Sequence, residues 1–179
     1  TAADLVARLP EKPLADLLYQ LADERGSRRI ARKIIETRRQ QPIKTVGQLA
    51  ELVRSCLPRP KKTYGKYAKP PIDPATRTFM ALRMAVNREL DVLVDVLDAA
   101  IDILAPGGRL VVVSFHSGED RLVKNALRDA RHAGTLELLT KKPVTAGDAE
   151  LDLNPRARSA KLRAGRKLAR KLPQNPPDS

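Results

Sequence analysis

From Leu82 the apolar residues Val86, Leu90, Leu93, Leu97, Ile101 and Leu104 follow at steps of 4, 4, 3, 4, 4 and 3, until Pro106-Gly107-Gly108 stops the pattern. Leu110-Val111-Val112-Val113 comes directly after it. A helix-period stripe that turns on Pro-Gly-Gly into a continuous β-branched run commits this stretch to helices packed on a sheet. Asp73 reads as the N-cap and Pro74 as the first helical residue, where its missing N–H costs nothing, so one long helix is expected as far as Leu104. The valine run has no polar alternation, which reads as a strand covered on both faces. Leu122, Val123, Ala126 and Leu127 give a second helical stripe, Thr135 to Thr140 a candidate second strand, and Ala160, Leu162 and Ala164 an alternating third. The expected class is α/β, with too little sheet for a complete doubly wound domain.

Residues 1 to about 57 read as short amphipathic helices, on Leu5 and Leu9, then Leu14, Leu17, Leu18 and Leu21, then Ile30, Ile34 and Ile35. Thr45-Val46-Gly47-Gln48 has the form of a capping box, which starts a helix at 46 that ends near 56. Pro58, Pro60, Gly65, Pro70 and Pro71, with several lysines, make 58–72 an exposed loop and the expected boundary between a helical domain, 1–72, and an α/β domain, 73–179.

Charge is concentrated rather than spread. The chain carries 34 Lys and Arg against 21 Asp and Glu, a formal charge of +13. Three stretches hold most of the excess: Arg25 to Lys44, Arg54 to Lys69 and Arg156 to Lys171, while Glu89, Asp91, Asp95, Asp98 and Asp102 make an acidic helix face. Such polarity predicts a polyanionic partner, because each phosphate contact by Lys or Arg gains affinity by counterion release. Tyr64 and Tyr67 stack on unpaired bases in one reading and are ordinary loop residues in the other. No apolar run is long enough for a membrane span and no charged-then-apolar leader is visible, so a membrane or secreted protein is not expected. The lone Cys56 can form no intrachain disulfide, which favours a reducing cytoplasm. The opening at Thr1 and the short sheet raise the expectation of a longer parent protein.

In open α/β sheets ligands sit beyond the carboxyl ends of strands. There the chain carries Phe115-His116-Ser117-Gly118-Glu119-Asp120-Arg121. His116 has the chemistry of a general base, Ser117 of a nucleophile and Asp120 of an orienting group. Adjacent residues of an extended segment point to opposite sides, which opposes a His116–Ser117 catalytic pair. Ser117 as N-cap with Asp120 three residues on is the competing structural reading. His116 and His132 are the only histidines, and no His-x-x-x-His or Cys-rich spacing suggests a metal. No Gly-x-Gly-x-x-Gly follows a strand and there is no Walker-type loop, so Gly107-Gly108 reads as a turn.

Four segments resemble one known family. They are Ser27-Arg28-Arg29-Ile30-Ala31-Arg32; Pro74-Ala75-Thr76-Arg77-Thr78-Phe79 with Ala81-Leu82-Arg83 and Ala85-Val86-Asn87; Leu104 to Leu110 with Ser114-Phe115-His116-Ser117; and Asn154-Pro155-Arg156-Ala157-Arg158-Ser159-Ala160-Lys161-Leu162-Arg163. In order and spacing they are similar to the S-adenosylmethionine-dependent methyltransferases that modify the N4 amine of a cytosine in bacterial 16S ribosomal RNA. The resemblance covers nearly the whole chain. It implies a helical substrate-recognition domain over 1–72 and, from 73, the C-terminal half of a Rossmann-like methyltransferase core.

It further implies that S-adenosylmethionine is bound by a segment N-terminal to these residues, with no cofactor ligand in this chain. Phe115, His116, Ser117 and Asp120 become the candidates beside the target base. Arg77, Asn87, Arg121, Arg156, Arg158, Lys161 and Arg163 become candidates for base positioning and RNA phosphates. The implied partner is ribosomal RNA or the small ribosomal subunit. A non-catalytic, basic RNA-binding protein derived from the same family is the rival reading. Three positions depart from the family pattern: Gly26 and Gly118 stand where bulky apolar residues are expected, and Asp73 replaces a histidine. Loss of packing at 26 and 118 and a looser loop at 118 are the expected consequences.

Overall fold

The computed structural model describes residues 1–58 and 73–169. They divide into two compact units, the first ending at Glu89 and the second beginning at Leu90. The proline- and lysine-rich loop, with Tyr64 and Tyr67, lies almost wholly outside the described residues, as do Arg170 and Lys171.

The first unit is all helical: α1 (Ala2–Arg8), α2 (Glu11–Ala22), α3 (Ser27–Gln40), α4 (Val46–Cys56) and α5 (Thr76–Asn87). The Thr45 hydroxyl accepts from the Gln48 N–H at 3.2 Å while Gln48 Oε1 accepts from the Thr45 N–H at 3.0 Å, so the expected capping box starts α4. Thr1 and Asp4 form a second box at α1. Leu14, Leu18, Ile30, Ile34 and Val53 are fully buried in one apolar cluster.

Ala75, Ala81 and Leu82 belong to that same cluster. This is why the units part between Glu89 and Leu90 and not at the expected boundary after residue 72. The single long helix is also corrected. Arg88 takes a left-handed conformation, φ 52°, and ends α5 before α6 (Glu89–Ile103) begins. Leu82 at the head of the stripe serves the helical core, whereas Leu97 and Ile101 serve a second core, so one sequence periodicity supplies two. Asp73 caps by accepting from the Ala75 N–H at 2.8 Å, in a turn ahead of α5 rather than as its N-cap.

The second unit continues from α6 through β1 (Arg109–Ser114), α7 (Ser117–His132), β2 (Leu136–Leu138), α8 (Asp148–Leu153), a 3-10 turn (Pro155–Ser159) and β3 (Lys161–Lys167). The sheet order is β1-β3-β2 with both pairs antiparallel, β1 lying at one edge. Gly107, at φ 81°, makes the turn that the Pro-Gly-Gly run predicts, and its N–H donates to Lys167 O at 2.9 Å. Leu110 and Val112 pack toward Val123, Leu127 and Leu136, with Leu97 and Ile101 of α6 in the same core.

Val111 and Val113 on the other face are 53% and 48% exposed. Among the described residues β1 is therefore covered on one face, not both, because the sheet has helical cover on a single side of this strand. Gly165, where β3 crosses Leu110, leaves room for Leu127 and Leu136, each 3.4 Å from where a Cβ would stand. No described helix is long and apolar enough to cross a membrane.

Candidate functional site

β1 delivers the candidate turn. Ser114 closes the strand, buried, and pairs in register with Lys161, the first residue of β3. Phe115 follows with its ring 58% exposed. Its main chain is pinned, since its N–H donates to Glu119 Oε2 at 3.0 Å. His116 is extended and caps α7, its Nδ1 accepting from the Glu119 N–H at 3.3 Å. An accepting Nδ1 assigns the imidazole proton to Nε2. That nitrogen is buried and comes within 3.1 Å of Glu119 Oε1 without hydrogen-bond alignment.

Glu119 therefore binds Phe115 and His116 into one unit, a role the sequence reading did not assign to it. The N-cap is His116 and not Ser117, because the turn leaves the strand one residue earlier than the capping pattern suggests; Ser117 is the first, exposed, residue of α7. Both imidazole nitrogens face Glu119, so His116 is not arranged to activate Ser117.

Asp120 is not a capping carboxylate. It is 8% exposed and accepts from Arg163 Nε at 2.7 Å and Nη2 at 3.1 Å, with Lys161 Nζ at 3.4 Å. The Arg163 hydrogen bonds hold its carboxyl below the ordinary aspartate value against the opposing effect of burial. Arg163 is 7% exposed. A bidentate buried pair of this kind locks α7 onto β3 and leaves neither partner open to an RNA phosphate, which corrects the expectation for Arg163.

Lys161 keeps part of its side chain exposed, and Arg121, Arg156 and Arg158 are exposed. The Asn-Pro-Arg segment has a structural logic of its own: Asn154 Oδ1 accepts from the Arg156 N–H at 3.2 Å and Pro155 opens the 3-10 turn. The register Ser114–Lys161 thus brings the end of this basic segment beside the carboxyl end of β1.

The remaining candidates belong to the helical unit. Arg77 is exposed and donates through Nη1 to Asp23 O at 3.2 Å. Asn87 Nδ2 donates to Glu89 Oε1 at 3.2 Å, beside an Arg83 guanidinium that grips the same carboxylate at 2.8 and 2.9 Å. Tyr19, Asp23, Arg25 and Arg77 line an open cavity. Tyr19 is 57% exposed and was not among the sequence candidates. Its place one residue off the buried α2 stripe is the signal that could have found it.

Much of the basic block on α3 is structural. Arg29 donates to Cys56 O at 2.9 Å and Arg38 to Val6 O at 2.6 Å, both at carbonyls near helix C-termini. Arg28 and Arg39, on the same helix, are exposed.

The departures from the resemblance are resolved locally. The Leu57 side chain occupies the space beside Gly26, so no void follows from the missing side chain there. Gly118 lies inside the first turn of α7 rather than in a loose loop. Asp73 has an Arg54 partner, Nη2 to Oδ2 at 2.6 Å, and that hydrogen bond holds its carboxyl below the usual value.

Among the described residues the glycines with positive φ are Gly107 and Gly134; both lie in turns, with open space within 4 Å of where a Cβ would stand. No cluster of three or more His, Cys, Asp or Glu side chains placed to hold a metal occurs among the described residues.

Residues 1–168 match the family described as the MraW methylase family. The ribosomal RNA small subunit methyltransferase H of Acidobacterium capsulatum is 52% identical over 167 residues, 93% of this chain and 53% of that protein. The proteins of that name from Koribacter versatilis and Granulibacter bethesdensis are 52% and 46% identical, over 92% of this chain in each case and 50% and 52% of their own lengths. The chain spans about half the length of the curated relatives it matches.

Proposed function

The chain belongs to the MraW methylase family, and from that membership we propose that it forms part of an S-adenosylmethionine-dependent enzyme that methylates the N4 amine of a cytosine in 16S ribosomal RNA. The observation that carries its share of the work is the Ser114–Lys161 register, which sets a basic segment beside an exposed aromatic at the carboxyl end of β1. In this reading Phe115 and the His116–Ser117 turn border the target base, while Arg121, Arg156, Arg158 and Lys161 contact phosphates. Asp120 and Arg163 hold the turn in place. The helical unit, with Arg77 and Asn87, recognises the RNA substrate. The methyl donor is held by residues that this chain does not contain. The partner is the small ribosomal subunit or its RNA, in the cytoplasm.

Binding without catalysis is the second reading, favoured by exposed Arg121, Arg156 and Arg158 and by a His116 imidazole that faces Glu119 rather than Ser117. One experiment separates the two. The gene that encodes these residues is expressed in a bacterial strain whose 16S RNA lacks N4-methylated cytidine, and the RNA nucleosides are analysed by mass. Recovery of N4-methylcytidine is the expected result. A stable, RNA-associated product with unmodified RNA would overturn the catalytic reading in favour of the second.

A further inference from the structure

Tyr19 sits in the last turn of α2, on a main chain that has little freedom. Asp23 follows the helix in the left-handed region, φ 49°, with its N–H on Tyr19 O at 2.9 Å, and the Glu24 N–H reaches Leu18 O at 3.3 Å. The Asp23 bond is the one made by an αL helix end, here built on an aspartate instead of a glycine. Glu24 turns inward, 5% exposed, and its Oε1 accepts from the Gly26 N–H at 2.7 Å. Arg25, between them, is left facing solvent. From α5, Arg77 donates to Asp23 O and so joins the same rim. An exposed phenol ring, two guanidinium groups and one carboxylate thus border a single open cavity on a fixed backbone.

The geometry points to this cavity as a subsite for one unpaired RNA nucleotide, its base stacked on Tyr19 and its phosphates met by Arg25 and Arg77. The inference rests on the RNA reading above and adds a residue and a contact to it. Three physical points support it. Aromatic residues are 3% of this chain, yet Tyr19 leaves most of its ring in water, where an aromatic that only filled the core would be covered. Stacking on a ring tolerates any base, and arginines beside it supply the electrostatic and planar contacts that single strands favour. The loop is already ordered by its own hydrogen bonds, so the contact costs little additional ordering.

The test uses the protein expressed from the gene that encodes these residues and a short single-stranded RNA carrying 2-aminopurine, whose emission falls when its base stacks. Wild type is expected to bind with quenching. Tyr19→Ala is expected to weaken binding about tenfold and abolish the quenching, while Tyr19→Phe, which keeps the ring, restores both. Tyr19→Ala should leave the slope of log affinity against log salt unchanged, whereas Arg25→Ala and Arg77→Ala should each lower it by about one.

Unchanged affinity and quenching in Tyr19→Ala, with wild type binding RNA, overturns the subsite and leaves the RNA reading standing. Failure of wild type to bind any RNA overturns both. Weaker binding of Tyr19→Ala to whole small subunits with unchanged affinity for the oligonucleotide would make the ring a protein contact and overturn the subsite as well.

Discussion

The two units are stabilised in different ways. Among the described residues the helical unit gathers sixteen buried residues into one apolar cluster, whereas the sheet unit gathers five. What the second unit lacks in buried hydrocarbon it partly replaces with a directed contact, the Asp120–Arg163 pair between α7 and β3. Apolar burial is non-directional and tolerates many arrangements. A buried ion pair is satisfied by one arrangement and costs heavily when either member is lost. The lesson is that the helical unit is built for bulk stability and the sheet unit for placement, which suits a turn that must present specific side chains.

Removing one partner of that pair should therefore produce the largest effect. Asp120→Ala leaves a buried guanidinium uncompensated and should cost about 3–5 kcal/mol in urea unfolding of the sheet unit. Asp120→Leu combined with Arg163→Met should recover most of that loss; a double variant as unstable as the single one would break the comparison. The pH dependence has a definite sign. Asp120 has its carboxyl depressed below 3.8, so the stabilisation is complete at neutral pH and disappears as acid carries the solution below that value. Thermal unfolding followed through the acid range reads it.

In the helical unit, Ile34→Ala removes a side chain with no exposure and should cost about 2–5 kcal/mol by the same urea measurement. Ile34→Val should cost much less, about 1 kcal/mol, as expected for graded packing. Thr45→Ala breaks the capping box of α4 and should cost about 1 kcal/mol, read by loss of amide protection in the first turn of that helix. Smallest of all, Glu137→Ala removes the exposed partner of Arg166 and should change the melting free energy by less than about 1 kcal/mol, and less still in high salt.

The sequence makes some of this plain and hides the rest for physical reasons. Thr45 and Gln48 are read correctly because a capping box depends only on neighbours. Leu110 to Val113 and the alternation through Leu162 are legible because strand period is local. The break at Arg88 is not, since neither Gly nor Pro marks it and the apolar stripe runs through it unchanged. Division of that stripe between two cores is equally invisible, because periodicity records a face and not what the face meets.

At the site, the family resemblance, together with the charge of its segment, puts Arg163 among phosphate contacts. Its partner, Asp120, lies far away in sequence and becomes a neighbour only through the packing of α7 on β3. Glu119 was overlooked because its work is to hold two main-chain and side-chain groups rather than to react. Arg29 and Arg38 look like surface charge in the sequence and prove to be fasteners between helices.

Among the described residues β1 pairs on one side only, and Val111 and Val113 lie bare on one of its faces. In a polypeptide of these 179 residues alone, such an open strand is a template for another copy, and the mutual repulsion of a formal charge of +13 works against that pairing. Salt weakens that repulsion as surely as it loosens a hold on RNA. The colloidal behaviour of that polypeptide should therefore run opposite to its affinity: conditions that strip away nucleic acid are those in which it self-associates, and Val113→Lys should be the variant that stays dispersed.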